Sequence, residues 1–577
     1  MKFSKRYLVF ALLLVGALVW KLNSWGDKYA QVETFRGAQL QEDVFYPLMA
    51  KNLNESGLVT IFFNDKSVST LDGGIILNSE LTPVVSLSFM KEHFNCGSFQ
   101  IDDNLAILQI TDDIYEFLLG NLTATFNGDD VPLTTEPQKI GDDYYIGLED
   151  ACNFFGFWYS YDEASYLITI AGIDMPSLPT AFDLREYGKV SKIRDQKTSA
   201  SCWACASMGA IESKLLPMET ELLSVDHMIE SNSFGLEESQ GGEYTMAVAY
   251  LLSWRGPIYD KDNNRFFDLT PGSSDSGNSP AYHVQEVHFF DHKDFESIKW
   301  AVFKNGGVST SIHATVGTSN LDKSGNYNKK NNAYCYRGNS KPNHDVVIVG
   351  WDDDYPGENF NTEVDGDGAF ICQNSWGSDF GDDGVFYISY SDANIGSQSV
   401  SYVSVESADN YDNIYQSDLC GWIGQMGYGK EKAWGANVFT AGGDEEVSAA
   451  GFYSLGKNSL YELYFVPKYK NIASLANREL VATGELKEAG YYTIDFDTVK
   501  QVEADESFAI IVVISTPGVA RPVAIEYVSD EMSKNVDITD GKGYVSSNGL
   551  DWESIEDVAS ANLCIKAYSK NVVEGIE

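Results

Sequence analysis

The spacing of hydrophobic positions changes along this chain and divides its 577 residues into regions of different predicted structure. An uninterrupted apolar run covers residues 7–20, near the amino end. Residues 27–172 mix short apolar runs with amphipathic segments, and a proline-containing connector at 172–180 ends this region. Beyond about residue 406, short alternating segments separated by Gly, Asn and Asp predict antiparallel strands. The pattern therefore indicates several domains, as expected for a chain of this length.

The first apolar run has the form of an export signal. Three basic residues precede it, and the run Tyr7–Trp20 contains 14 residues, which is short for a membrane span and typical of a signal peptide core. No small-x-small cleavage site follows Lys21, so residues 1–26 are interpreted either as a cleaved signal or as a retained anchor. In both cases we expect an extracellular or cell-surface protein whose membrane contact is limited to this segment.

Composition excludes some classes of partner. The formal net charge is -44 and the sequence pI is about 4.3, so the surface repels phosphate backbones, and nucleic acid is not expected to bind. Eight cysteines are too few for a disulfide framework in a chain of this length. Most of them are expected to be buried free thiols.

The region 27–172 contains an internal repeat, with one copy from Thr82 to Thr111 and a second beginning at Tyr144. Such a repeat predicts a small packed α+β module. Its hydrophobic pattern resembles the stalk domain at the amino end of some copper amine oxidases and of many bacterial surface proteins, which implies a spacer. His93 is the only histidine before residue 200, so no copper site is expected.

Three polar residues in the middle of the chain stand at the ends of predicted helices or strands, where their side chains could reach a cleft. Cys202 opens a segment rich in Ala, Leu, Met, Glu and Lys that predicts a helix. A thiol in the first helical turn is close to the positive end of the macrodipole and is expected to ionise readily. His344 precedes the apolar run V-V-I-V, and Asn374 follows the strand-like segment A-F-I-C. Side chains at such strand ends can reach a cleft.

These residues belong to motifs that resemble those of the papain and cathepsin family. Gln196 stands six positions before Cys202, which is followed by Trp and Ala. A glycine pair at 241–242 comes next, then N-H-D-V-V-I-V-G-W from Asn343, and then Q-N-S-W-G from Gln373. The resemblance spans residues 175–405 and implies a papain-like α+β peptidase domain with a helical half and a β-barrel half.

The resemblance also implies a role for each residue. Cys202 would be the nucleophile, His344 its base, and Asn374 the residue that orients the histidine, with Trp376 screening the bond between them. The side-chain amide of Gln196 and the backbone N-H of Cys202 would form the oxyanion hole. This chemistry needs no metal and no cofactor.

Substrate contacts are predicted from the same resemblance. Gly241 and Gly242 would form a wall along which an extended peptide binds, because no side chain intervenes there. Ser311 and Asn343 would line the pocket for the residue two before the cut. Since Ser311 is small and Asn343 is neutral, we expect this pocket to accept a medium or large uncharged side chain. Lys197 replaces the glycine that usually follows the glutamine, which leaves the pose of the oxyanion donor open.

The region 406–577 is predicted to form an antiparallel β-sandwich. Its pattern and position resemble the lectin-like domain that follows papain-type peptidases in some clostridial surface proteins, which makes surface glycan a further candidate partner. Acidic clusters at 352–354 and at Asp365 and Asp367 lack the ligand spacing of an EF-hand, and we interpret them as solvated turns.

The sequence therefore predicts an exported cysteine endopeptidase that acts on peptide bonds of surface or extracellular proteins. The alternative is a surface adhesin whose peptidase domain has lost activity and whose lectin-like domain binds the ligand. The presence of Cys202, His344 and Asn374 together argues against that alternative.

Overall fold

A computed structural model gives the structure of the protein. The residues that it describes are 178–572, except 217–218, 237–239, 263–278, 316–323 and 540, together with shorter pieces between residues 31 and 171. The predicted export segment at 7–20 lies outside the described residues. In the part of the chain that is described, no helix is long and apolar enough to cross a membrane.

The described pieces before residue 172 form short strands and two helices. They are β1 (Gln31–Thr34), β2 (Ile61–Phe63), β3 (Lys66–Val68), β4 (Ile75–Leu77), β5 (Pro83–Ser86), α1 (Leu87–His93), β6 (Ser98–Asp102), β7 (Leu105–Ile110), β8 (Asp113–Leu118), β9 (Thr123–Phe126), β10 (Asp129–Pro132), β11 (Gln138–Ile140), β12 (Asp143–Gly147), α2 (Leu148–Phe155), β13 (Trp158–Asp162) and β14 (Leu167–Ala171).

Both copies of the predicted repeat have the order strand, helix, strand. The first copy is β5, α1 and β6, and the second is β12, α2 and β13. Strands β5 and β12 pair with each other antiparallel, and each helix packs against both strands. The repeat is thus a pair of like units that share one sheet.

The middle of the chain contains a helical half and a strand half. Its elements are β15 (Ala181–Asp183), α3 (Cys202–Leu215), α4 (Val225–Ser231), α5 (Tyr244–Leu252), β16 (Tyr282–Phe290), α6 (Phe295–Asn305), β17 (Val308–Ile312), β18 (Tyr327–Asn328), β19 (Ala333–Tyr334), β20 (His344–Asp352), β21 (Ala369–Gln373), β22 (Val385–Ser389) and β23 (Ser397–Ser407).

Helix α3 is the centre of this region. Every residue from Trp203 to Leu215 is buried, so the helix is surrounded by protein on all sides and needs no polar face. It packs against α4 and α5 on one side and against β17, β20 and β23 on the other. Strand β20 pairs with β17 and β21, and α3 packs across β20 and β17.

The carboxyl-terminal region consists mainly of strands. Its elements are β24 (Asn413–Tyr415), β25 (Gly424–Gly427), β26 (Lys432–Thr440), β27 (Glu445–Ser454), β28 (Ser459–Val466), β29 (Glu479–Leu486), β30 (Ala489–Val502), β31 (Ser507–Ser515), β32 (Val523–Tyr527), β33 (Gly543–Ser546), β34 (Glu553–Ser554), α7 (Ile555–Ala559), β35 (Ala561–Leu563) and β36 (Ile565–Asn571). A sheet of order β29-β28-β31-β26-β33-β34 and the strands β30, β27 and β36 bury one apolar core.

One sheet passes from the middle region into the carboxyl-terminal region. Strand β16 pairs with β23 on one side and with β30 on the other, and its register with β30 runs from Glu286 opposite Tyr492 to Phe289 opposite Ala489. The backbones approach closely at Gly490, where an added Cβ would lie 2.0 Å from the carbonyl oxygen of Val287. The two regions are therefore joined by backbone hydrogen bonds as well as by the chain.

Candidate active site

The candidate nucleophile lies at the start of a buried helix. Cys202 is the first residue of α3, and Ser201 occupies the N-cap position without a side-chain capping bond. The thiol residue is partly exposed, whereas the rest of α3 is buried. The helix thus holds one reactive side chain at a surface while its remaining residues are fixed in the core.

A groove of about 1200 Å³ runs past Cys202. Its walls come from the helical half, from the strand half and from the carboxyl-terminal region. All the predicted site residues except Asn374 line it, namely Gln196, Cys202, Gly241, Gly242, Ser311, Asn343, His344 and Trp376.

His344 and Asn374 form a hydrogen-bonded pair at the ends of adjacent strands. The distance from His344 Nε2 to Asn374 Oδ1 is 2.8 Å. The same oxygen accepts the backbone N-H of Ser375, also at 2.8 Å, which fixes the orientation of the amide group. Because Oδ1 is an acceptor, Nε2 carries the proton and Nδ1 is a free acceptor. The ring of Trp376 stacks on that of His344 with centroids 4.7 Å apart.

Burial shifts the pKa of each candidate catalytic group in the direction that favours its neutral form. Desolvation raises the pKa of the Cys202 thiol to about 12, and the negative charge of Asp345 acts in the same direction. Desolvation lowers the pKa of His344 to about 4, against the effect of the bond to Asn374. Both shifts favour the neutral form of the group concerned, the thiol of Cys202 and the imidazole of His344. The direction for Cys202 differs from the easier ionisation predicted from its helix position, and its largest cause is desolvation by burial.

Gln196 is held by two hydrogen bonds beside the groove. Its Oε1 accepts the hydroxyl of Ser375 at 2.5 Å, and its Nε2 donates to the carbonyl of Ser199 at 2.8 Å. An amide nitrogen carries two hydrogens, so one N-H is left for a ligand in the groove. The following Lys197 adopts a positive φ of 52°, a conformation in which the glycine of the resemblance would be unstrained.

The two glycines of the predicted wall differ in their surroundings. An added Cβ at Gly242 would lie 2.5 Å from the indole of Trp203, whereas one at Gly241 would lie 3.5 Å from Ala200. Gly241 has a positive φ of 78°. Gly242 therefore lies directly against the residue that follows the candidate nucleophile, and a side chain there would displace that indole.

Ser311 and Asn343 have different surroundings. Ser311 is buried and donates to Asp345 Oδ1 at 2.5 Å. The amide of Asn343 is committed to the backbone of Ala314, accepting from its N-H at 2.7 Å and donating to its carbonyl at 3.0 Å. Asn343 therefore braces two chain segments at the groove edge, and Ser311 is the residue that faces the interior.

The structure adds residues that the sequence analysis missed. Asp345 and Glu243 line the groove with carboxylates, and Trp422, Ile423 and Met532 extend it from the carboxyl-terminal region. Asp345 was available in the motif N-H-D-V, as the residue after the histidine. The last three are far away in the sequence and carry no local signal.

The other cysteines and the acidic clusters have structural surroundings. All described cysteines are free, and apart from Cys202 all are buried, which confirms the prediction for these residues. Asp353 pairs with Lys299, and Asp365 pairs with Arg337. Among the described residues, no group of His, Cys, Asp or Glu has a geometry that could hold a metal ion.

Two family models match consecutive parts of the chain. Residues 178–404 match the papain family cysteine protease, and residues 414–569 match the lectin like domain. Cathepsin S of Bos taurus is 27% identical over 223 residues, which are 38% of this chain and 62% of the relative. Cathepsin L of Sarcophaga peregrina is 28% identical over 221 residues, which are 36% of this chain and 58% of the relative. The chain thus spans about three fifths of the length of these curated relatives.

A solved structure shares the arrangement of both domains. It contains the cysteine protease and lectin-like domains of Cwp84, a surface layer associated protein of Clostridium difficile. It is 23% identical, covers 69% of this chain and 90% of the other, and has a TM-score of 0.59. The class is a papain-like fold joined to a β-rich domain. Residues 178–404 are a papain family cysteine protease domain, and a lectin-like domain follows it in the same chain.

Proposed function

We propose that this chain is an exported cysteine endopeptidase that hydrolyses peptide bonds of surface or extracellular proteins. One observation carries the proposal. His344, held by Asn374 through a 2.8 Å hydrogen bond, lines the same groove as Cys202 at the start of α3. A thiol, an imidazole and an orienting amide in this relation are the groups that acyl transfer by a cysteine nucleophile requires.

The first half of the reaction forms an acyl enzyme. His344 Nδ1, the free acceptor of the ring, takes the thiol proton of Cys202 as Sγ attacks the carbonyl carbon of the substrate. The tetrahedral intermediate then loses its C-N bond, and Nδ1 gives the proton to the leaving amine. A thioester on Cys202 remains. The proton transfer leaves the nucleophile as a thiolate and the base as an imidazolium.

The second half releases the product. His344 Nδ1 removes a proton from water, and the oxygen attacks the thioester carbonyl. The C-S bond then breaks to give a carboxylic acid, and Nδ1 returns the proton to the departing sulfur, which regenerates the thiol of Cys202. In both halves the carbonyl oxygen becomes negatively charged. The backbone N-H of Cys202 and the second N-H of Gln196 Nε2 would stabilise that charge.

Location and further partners complete the proposal. The similarity to a surface layer associated protein supports a position at the cell surface, with residues 7–20 as signal or anchor. The lectin-like match supports surface glycan as a second ligand. The repeat module before residue 172 would then be a spacer that resembles the stalk of copper amine oxidases, carrying no part of the catalytic site.

The two cysteines of α3 provide the test. Cys202→Ala is expected to lower the cleavage of labelled casein by at least about 10³-fold, because the nucleophile is lost. The matched control is Cys205→Ala, which changes a buried thiol on the same helix and is expected to retain most of the activity.

Labelling distinguishes the enzyme from an inactive adhesin. A cysteine-directed epoxide is expected to modify the native chain stoichiometrically at Cys202, as read by peptide mass spectrometry. A folded native chain that neither cleaves casein nor reacts with the epoxide would instead be the adhesin. Loss of activity in Cys205→Ala but not in Cys202→Ala would show that Cys202 is not the nucleophile.

A further inference from the structure

A buried carboxylate lies in the floor of the groove without a cationic partner. Asp345 is the second residue of β20, is buried, and lines the groove beside His344. Its Oδ1 accepts the hydroxyl of Ser311 at 2.5 Å. Among the described residues, no Lys, Arg or His side chain forms an ion pair with this carboxylate. Buried charges in proteins are normally paired, because an isolated one is costly to desolvate.

A second carboxylate adds to the negative potential at this place. Glu243 is exposed at the rim, directly after the glycine pair, and lines the same groove. The burial of Asp345 and the charge of Glu243 together raise the pKa of Asp345, to about 6. At neutral pH Asp345 is therefore still mostly ionised, and among the described residues no cationic side chain forms an ion pair with it.

The position of Asp345 relative to the substrate follows from the groove itself. A peptide that binds along Gly241 and Gly242 in extended form points successive side chains to opposite sides. When the scissile carbonyl carbon lies at Cys202, the residue directly before the cut and the residue two before the cut point their side chains to opposite sides. Ser311 and Asp345 are opposite each other on adjacent strands and both line the groove, so they are available to a side chain that points to that wall.

We propose that Asp345 determines specificity by binding the Lys or Arg side chain of the residue two before the scissile bond. Glu243 contributes from the rim of the same pocket. This inference rests on the proposed peptidase function and names the substrate class of the same groove. It replaces the uncharged side chain expected from Ser311 and Asn343, because Ser311 is hydrogen-bonded to the carboxylate of Asp345, whereas the amide of Asn343 is bonded to the backbone of Ala314.

Binding of a cation at Asp345 also affects the nucleophile. The negative charge of Asp345 raises the pKa of Cys202 and so opposes formation of the thiolate. A Lys or Arg side chain paired with Asp345 cancels that effect at the moment when the substrate carbonyl is in place. A basic residue at this position is therefore expected to raise kcat as well as to lower KM.

Matched peptides test the proposal on the full chain. The peptides are identical except for Arg, citrulline, Leu or Glu at the position two before the cut, with an equimolar residue mixture next to the cut. Citrulline has the shape of Arg without its charge. We expect kcat/KM for Arg to exceed that for citrulline by roughly 10- to 100-fold. This ratio corresponds to the contribution of one charge-assisted hydrogen bond in a buried site. Glu is expected to be the poorest of the four.

Variants assign the effect to a residue. Asp345→Asn keeps the shape of the side chain, and we expect it to bring the ratio of Arg to citrulline close to one. Glu243→Gln, at the exposed rim, is expected to reduce the ratio only a few-fold. Should Asp345→Asn fail to fold, as judged by circular dichroism, the ratio measured on the native chain still decides whether the pocket selects charge.

The outcomes separate this inference from the proposed function. Equal turnover of Arg and citrulline peptides by the native chain would overturn the inference and leave the peptidase standing. An undiminished ratio in Asp345→Asn would overturn the assignment to Asp345. If the native chain cleaves none of the peptides and iodoacetamide does not alkylate Cys202, both the function and the inference are wrong.

Discussion

At the residue scale, three consecutive residues hold the active-site groups in place. Asn374 accepts the N-H of His344, Ser375 donates to Gln196, and Trp376 stacks on the histidine ring. The backbone N-H of Ser375 also bonds to the side chain of Asn374, so the segment fixes its own amide as well. The candidate base and the candidate oxyanion donor are thus positioned by one short loop after β21.

Ser375 provides a prediction about positioning. Ser375→Ala removes the hydroxyl that anchors Gln196 Oε1, and we expect kcat to fall roughly 10-fold with KM little changed. This is less than the 10²- to 10³-fold loss expected for Gln196→Ala, which removes the donor itself. Steady-state kinetics with one peptide substrate measure both.

Two controls separate positioning from general damage. Alkylation of Cys202 by iodoacetamide needs no oxyanion donor, so its rate is expected to be unchanged in Ser375→Ala. In a Gln196→Ala background, Ser375→Ala is expected to cause no further loss of kcat. Slower alkylation, or full additivity of the two substitutions, would contradict the role given to Ser375.

The residues of the site differed in how far the sequence could predict them. Cys202, His344 and Asn374 each stand at the end of an element whose pattern is visible locally. The roles of Asp345 and Ser375 depend on partners that are far away in the chain: Asp345 bonds to Ser311, and Ser375 bonds to Gln196. Such contacts follow from strand register and loop packing, which the pattern of one segment does not contain.

At the scale of elements, the helix that begins at the candidate nucleophile Cys202 and the strand that begins at the candidate base His344 were visible in the sequence. Residues after Cys202 predicted a helix, and α3 runs from Cys202 to Leu215. The run after His344 predicted a buried strand, and β20 is buried over most of its length. What the pattern did not show is the pairing of β16 with β30, because alternation within a strand does not identify its neighbour.

The junction between β16 and β30 provides a prediction about stability. At Gly490 an added Cβ would lie 2.0 Å from a backbone oxygen of β16, so Gly490→Ala requires the strands to separate. We expect a destabilisation of about 1–3 kcal/mol, measured by urea denaturation. The control is Gly325→Ala, where the added Cβ meets nothing within 4 Å. Equal stability of the two variants would contradict the close packing of these strands.

At the scale of the whole molecule, the protease and lectin-like domains are joined by a buried ion pair as well as by the sheet. Lys457, from the carboxyl-terminal region, lies 2.9 Å from Asp294 at the N-cap of α6, and their side chains are 3% and 6% exposed. Lys457 also donates to Ser297 in the same helix. A backbone bond from Gly235 to Met532 links the two domains near the groove.

This ion pair provides a prediction about the junction. Lys457→Met leaves Asp294 buried without its cation and is expected to cost about 3 kcal/mol, since breaking a buried pair from one side is strongly destabilising. Lys487→Met is the control, because Lys487 and Glu485 form an exposed pair whose contribution is expected to be below about 1 kcal/mol. Differential scanning calorimetry of both variants measures the difference. Indistinguishable melting temperatures would argue against the role of Lys457.

The continuous sheet has a consequence for the order in which the chain matures. During synthesis, β16 leaves the ribosome about 200 residues before its partner β30. Until β30 arrives, one side of β16 has no neighbour, and the groove also lacks the part of its wall that Met532 forms. The sheet and the groove are therefore complete only after most of the lectin-like domain has been made, so the proposed peptidase would acquire its full substrate cleft late in synthesis.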